Sequence, residues 1–228
     1  MTPAEIESAR FNMIEQQIRP WDVLDPTVLE LLGQVRREQF APAALRGLAF
    51  MDTELPLRAP HEAALRQGQC MLAPRVEARS VQDLKLTKSD RVLEIGTGSG
   101  YSAALMASLA TQVLTLEIDA ELAATARANL REAGIANAEV RHAYGAQGAA
   151  KDGPFDAILL SGSVAAVPPA LLQQLKPGGR LFAIVGDEPM MRAQVITRTG
   201  DNRFETASPW DAIVPRLQNF AEPSPFQF

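Results

Sequence analysis

Residues 91–101 read RVLEIGTGSGY, and this stretch constrains the fold more than any other. Val92, Leu93, Glu94 and Ile95 read as a strand that runs directly into Gly96, Thr97, Gly98, Ser99 and Gly100. A helix-forming run over residues 101–109 follows without a spacer. Strand, tight turn and helix N-terminus thus share one segment. Glycine lets the backbone turn sharply and lets another molecule approach it closely. The first turn of a helix offers unpaired N–H groups and the positive end of the helix dipole. A ligand carrying a sugar, a carboxylate or a phosphate is expected across this turn.

The register narrows the ligand. Dinucleotide folds use G-x-G-x-x-G. Here the spacing is G-x-G-x-G, with Tyr101 where the third glycine of that fingerprint would stand. Glu94 lies two residues before the first glycine. A second strand, residues 112–118, carries Glu117 near its end, roughly 20 residues past the turn, where an acid can accept hydrogen bonds from both ribose hydroxyls. Glu94 before the turn and the missing third glycine resemble the class I methyltransferases that bind S-adenosylmethionine. In that class the acid before the glycines helps hold the methionine end of the cofactor.

Composition sets outer bounds. A chain of 228 residues with 46% hydrophobic residues suits one large α/β domain with an extension. A formal charge of −5 argues against general nucleic-acid affinity. Cys70 is the single cysteine, so no internal disulfide can form and a cytoplasmic location is the simple expectation. The first twenty residues carry charges throughout, unlike a secretory signal, and no apolar run approaches a membrane span. No membrane association and no metal are expected.

Before the central strand, residues 4–18 read as one helix with Ile6, Phe11, Met13, Ile14 and Ile18 on an imperfect apolar face. Residues 26–35 and 74–84 read as two more, each opening with proline. Residues 43–48 fit a single turn, and residues 50–69 look irregular. After it, strands and helices alternate, which predicts a parallel sheet. Strands are expected at 92–95, 112–118, 138–142, 155–160, 180–185, 194–199 and 203–207, the last two as a hairpin around Gly200, Asp201 and Asn202. Helices are expected at 120–133 and 169–175. The fold class is therefore α/β: a Rossmann-like, mostly parallel seven-stranded sheet with helices on both faces. Residues 1–85 would form a helical extension bearing an active-site segment, and residues 86–228 the binding domain. Phe220, Phe226 and Phe228 in the tail call for burial.

Four stretches resemble the protein-L-isoaspartate O-methyltransferase family: FNMIEQQIRP, REQFAPAALRGLAFMDTELPL, RVLEIGTGSGYSAALMA and FDAILLSGSVAAVPPALLQQLKPGGRLFAIVG. The likeness runs to about residue 186. It implies a class I methyltransferase fold and S-adenosyl-L-methionine as cofactor. It also implies an activity that methylates the carboxylate of isoaspartyl residues in damaged proteins or peptides. By the same resemblance Gly96, Thr97, Gly98, Gly100, Glu94, Glu117, Ile118 and the turn at Tyr144 and Gly145 would hold the cofactor. Two departures stand out. The family's active-site segment G-Q-T-I-S-x-P-H here reads Gly68, Gln69, Cys70, Met71, Leu72, Ala73, Pro74, Arg75, so leucine replaces the serine. In the family's G-D-G turn, Tyr144 replaces the aspartate.

A carboxylate acceptor is ionised at neutral pH, so its methylation requires alignment rather than a general base. The family serine would position the substrate; Leu72 removes that anchor. Arg75 could pair with a carboxylate or stand solvated on its helix. Cys70 reads as a small core residue more readily than as a nucleophile, because no histidine lies beside it in sequence. Tyr144 could stack on adenine or be an ordinary loop aromatic. Two rivals to the isoaspartyl reading stay open: another acceptor, or cofactor binding without catalysis.

Overall fold

The computed structural model describes residues 1–222, so the burial expected of Phe226 and Phe228 lies outside the described residues. The extension begins with α1, Pro3–Met13, closed at its start by a reciprocal capping box between Thr2 and Glu5. The single helix expected over 4–18 divides in two, α1 and a π turn at Ile14–Ile18, and a 3-10 turn at Arg19–Trp21 follows it. The wider π turn brings Met13 and Ile18, five residues apart, into full burial, while Phe11 is left 63% exposed. Helix α2, Pro26–Gln34, is capped by Asp25, and α3, Arg37–Phe40, and a 3-10 turn at Ala43–Leu48 follow. The stretch expected to be irregular contains α4, His61–Arg66, and a strand β1, Leu55–Pro56. β1 pairs antiparallel with β2, Cys70–Met71, through Leu55 opposite Met71. Pairs this short carry no readable period. Helix α5, Pro74–Leu84, ends the extension.

The main sheet holds β3, Arg91–Ile95; β4, Gln112–Glu117; β5, Ala138–His142; β6, Phe155–Val164; β7, Leu175–Asp187; β8, Met190–Gly200; and β9, Arg203–Asp211. Their order is β5-β4-β3-β6-β7-β8-β9. The first five run parallel, and β8 and β9 are antiparallel. The expected hairpin joins β8 to β9, with Gly200 opposite Arg203. Helices α6, Tyr101–Ala107; α7, Ala120–Glu132; and α8, Pro169–Leu172, complete the alternation.

Side-chain alternation divides the core between the two faces. Val92, Val113, Ala157 and Leu159 join one apolar cluster; Leu93, Leu114, Ile158 and Leu160 join the other. The first cluster also takes Met13, Ile18, Leu32, Phe40, Val81 and Leu84, so the extension packs into the same core as the sheet. Among the described residues no helix is long and apolar enough to cross a membrane. Strand order reverses about β3, whose neighbours β4 and β6 are reached in opposite directions. The carboxyl ends of β3 and β6 therefore flank the crevice where open α/β sheets bind ligands.

Candidate active site

The glycine turn leaves β3 at this reversal. Gly96 has φ of +94°, a value that side chains rarely tolerate. A Cβ there would also lie 2.8 Å from Leu217 Cδ2, so the position is glycine for two reasons. The Gly98 N–H donates to Glu117 Oε2 at 2.8 Å, and the Asp119 N–H donates to the other oxygen at 3.0 Å. Glu117 is thus fixed at the end of β4 with lone pairs to spare. Asp119 caps α7 by accepting from the N–H groups of Glu121 and Leu122, and pairs with Arg58 at 2.7 Å. Asn129 on α7 donates to Ser99 O at 2.9 Å and steadies the far side of the turn.

A cleft opens between these strand ends. Gly96, Gly98, Glu117, Ile118 and Gly145 line it, together with Ser161, Leu122 and Ala143. The segment Gln67, Gly68, Gln69 and Cys70 forms one wall, and Arg216, Leu217, Gln218 and Phe220 of the tail another. The tail returns across the sheet because the Ser163 N–H donates to Pro215 O at 2.8 Å and the Leu217 N–H to Ser163 O at 2.9 Å. Phe220 is buried, as its aromatic character demands.

Several residues singled out from sequence stand elsewhere. Glu94 lies fully buried beneath the turn, accepting from Thr115 Oγ1 and Ser161 Oγ, both at 2.7 Å; burial pushes its carboxyl up to about 7. It braces three strand ends and reaches the cleft only through Ser161. Thr97 turns inward onto Thr115 Oγ1 at 2.6 Å, and Gly100 faces Ala126 and Leu130 of α7. Tyr144 is 70% exposed and outside the cleft lining, although its neighbours Ala143 and Gly145 line it. Gly145 itself is pressed so close to Ile95 that a Cβ would fall 2.1 Å from Cγ2.

The acceptor candidates separate in the same way. Cys70 lines the cleft, but burial pushes its thiol up to about 12, so it is no nucleophile at neutral pH. Leu72 is drawn into the apolar core, and its carbonyl accepts from Arg37 Nη2 at 2.7 Å. Arg75 pairs with Asp52 and lies over the Trp21 ring at 4.4 Å, in a groove beside the cleft. It is paired, with its side chain 28% exposed.

Sequence reasoning missed Ser161, Asp119 and the tail residues, and named Gln69 only as part of the active-site segment. Ser161 had a positional signal, directly after the apolar run of β6. The tail gave no sign of where it would go.

Parallel strands, a glycine turn on the middle one and an acid ending the next are the frame of a Rossmann-like, S-adenosylmethionine-dependent methyltransferase. The same fold occurs in a Plasmodium falciparum beta-aspartate methyltransferase solved in complex with S-adenosyl-L-homocysteine: TM-score 0.74, 21% identity, covering 93% of this chain and 97% of that one. The family model described as protein-L-isoaspartate(D-aspartate) O-methyltransferase matches residues 8–214. Protein-L-isoaspartate O-methyltransferase 2 of Marinobacter nauticus is 40% identical over 215 residues, 93% of this chain and 94% of its own length. The protein-L-isoaspartate O-methyltransferase of Koribacter versatilis is 37% identical over 211 residues, 92% and 91% of the two chains. The chain belongs to the protein-L-isoaspartate(D-aspartate) O-methyltransferase family.

Proposed function

We propose that the chain methylates the carboxylate of isoaspartyl residues in proteins or peptides, in the cytoplasm. One observation carries the choice of a carboxylate. Among the described residues lining the cleft there is no histidine or lysine, and Cys70 holds its proton to about 12. The two carboxylates there are already engaged, Glu117 with the Gly98 and Asp119 N–H groups and Asp119 with the α7 N-terminus and Arg58. A site without an uncommitted base suits an acceptor that arrives ionised.

The residues present fit the cofactor. Gly96 and Gly98 leave bare backbone, Glu117 keeps free lone pairs for two hydroxyls, and Ile118, Leu122 and Ala143 offer apolar surface to a flat ring. When bound, the cofactor supplies a methyl group on a positively charged sulfur. The chain's own part is alignment: Glu117 fixes the ribose, the glycine turn admits the amino-acid end, and the Gly68-to-Cys70 wall with the tail encloses the acceptor. Leu72, apolar where the family has serine, is the feature that favours another acceptor.

The test is transfer of radiolabelled methyl to a synthetic isoaspartyl peptide, with the aspartyl peptide of the same sequence as control. Transfer to the first and not the second is expected. Tight binding of S-adenosyl-L-homocysteine with no transfer to the isoaspartyl peptide would end this reading.

A further inference from the structure

We propose that Arg216 recognises the acceptor carboxylate, so that this chain anchors its substrate from the C-terminal tail instead of from residue 72. The inference deepens the acceptor reading above and rests on it. Among the described residues lining the cleft, Arg216 is the one that carries a positive charge. Arg75, the cation nearest in sequence to the missing serine, is committed to Asp52 and Trp21 in the adjoining groove.

The tail holds Arg216 firmly. Backbone bonds to Ser163 bracket it on both sides, and its Nη1 donates to Gly186 O at 2.9 Å. Its backbone stands against the segment that carries Cys70: a Cβ on Gly68 would come within 3.0 Å of Arg216 O. The guanidinium is held at the carboxyl ends of β6 and β7 by Ser163, Gly186 and Asp187, and the residue as a whole lines the cleft beside the Gly68-to-Cys70 wall.

The guanidinium already binds carboxylates. Asp187 accepts from Nη2, and Glu222 lies 3.1 Å from Nε. Both acids are half-exposed or more, at 60% and 50%, whereas the arginine side chain is 27% exposed. Exposed ion pairs are weak. Exchanging the Glu222 carboxylate for a substrate carboxylate leaves the charge balance unchanged, and the planar fork of arginine suits either. Glu222 thus stands in for the acceptor.

Charge bookkeeping fixes the kinetic signature. As a carboxylate oxygen bonds to the methyl carbon, the carbon–sulfur bond breaks with its electron pair left on sulfur, and the carboxylate becomes a neutral ester. Arg216 holds the charged substrate more strongly than the transition state or the product. Its contribution is to capture and release, so it shows in KM and not as a gain in kcat.

The experiment compares wild type, Arg216→Gln, Arg216→Lys and Glu222→Gln on the synthetic isoaspartyl peptide, with calorimetric Kd for S-adenosyl-L-homocysteine and melting temperature alongside. Arg216→Gln should raise the peptide KM roughly ten- to a hundred-fold with kcat not reduced and the homocysteine product bound as before. Arg216→Lys, a point charge without the fork, should fall between, and Glu222→Gln should lower KM by removing the internal competitor. Normal turnover with an unchanged KM in Arg216→Gln overturns the inference alone. So does a fall in kcat/KM matched by an equal loss of S-adenosyl-L-homocysteine affinity, which marks a structural strap. If wild type binds S-adenosyl-L-homocysteine yet methylates no isoaspartyl peptide, the acceptor reading falls and this inference with it.

Discussion

Glu94 shows how far one residue's role depends on what folds over it. Placed by motif, it reads as a cofactor contact; in the fold it is a fully buried brace between Thr115 and Ser161. Burial raises its carboxyl to about 7 from an ordinary 4.5, nearby Glu117 adds to the rise, and the two hydroxyl donors oppose it. The folded state therefore binds the proton more tightly than the unfolded one. The stability this gives is full below about pH 4.5 and is lost as the pH rises through about 7. Glu94→Gln keeps the shape and an acceptor without the charge. Its melting temperature should exceed wild type by more at about pH 8 than at about pH 5, for a difference on the order of 2–3 kcal/mol at most. Equal differences at both values would refute the account. Leu72 and Tyr144 make the same point: the substitutions are plain in the sequence, but one side chain enters the core and the other turns to solvent.

At the scale of elements, what matters is how closely loops approach strand ends. The loop after β5 touches the end of β3 through Gly145 and Ile95. Gly145→Ala must push that loop away and widen the cleft. We expect a loss of about 1–3 kcal/mol from overpacking and weaker binding of S-adenosyl-L-homocysteine, read by thermal melting and calorimetry. Gly33, inside α2, is the contrast: a Cβ there meets nothing within 4 Å. Gly33→Ala should be stabilising by about 0.4–1 kcal/mol with unchanged binding. If both substitutions behave alike, close approach is not what selects glycine at position 145. The strands flanking the cleft were readable because apolar residues run through β3, β4 and β6. The break of the first helix into an α segment and a π turn was not, because Met13 and Ile18 are aligned by the core they enter and not by their own spacing.

The whole molecule is tied together by Arg37. It is fully buried, pairs with Glu77 of α5, and donates to Ala49 O at 3.0 Å and Leu72 O at 2.7 Å. Its guanidinium lies 5.2 Å from the ring centre of Tyr101, the first residue after the glycine turn. Burial pushes it down to about 10, so it stays charged at neutral pH. One side chain thus links the extension, the active-site segment and α6. Arg37→Met leaves the Glu77 carboxylate buried without its partner and should cost about 3–5 kcal/mol. Adding Glu77→Leu should recover most of that in a denaturant titration. A double variant no more stable than Arg37→Met would mean that packing, and not the stranded charge, sets the cost.

The sequence by itself determined the order of elements from β3 onward, the glycine turn and the acid ending β4, because each is written in a local period or spacing. It also carried the family, through motifs spread along most of the chain. Only the tertiary structure decided which side chains face the cleft. Ser161 enters it because β6 lies beside β3, Arg216 because the tail bonds to Ser163, and Cys70 because β2 pairs with β1. Leu72 and Arg75 leave it because Arg37 and Asp52 hold them. These contacts join residues well separated along the chain, and no local pattern records them.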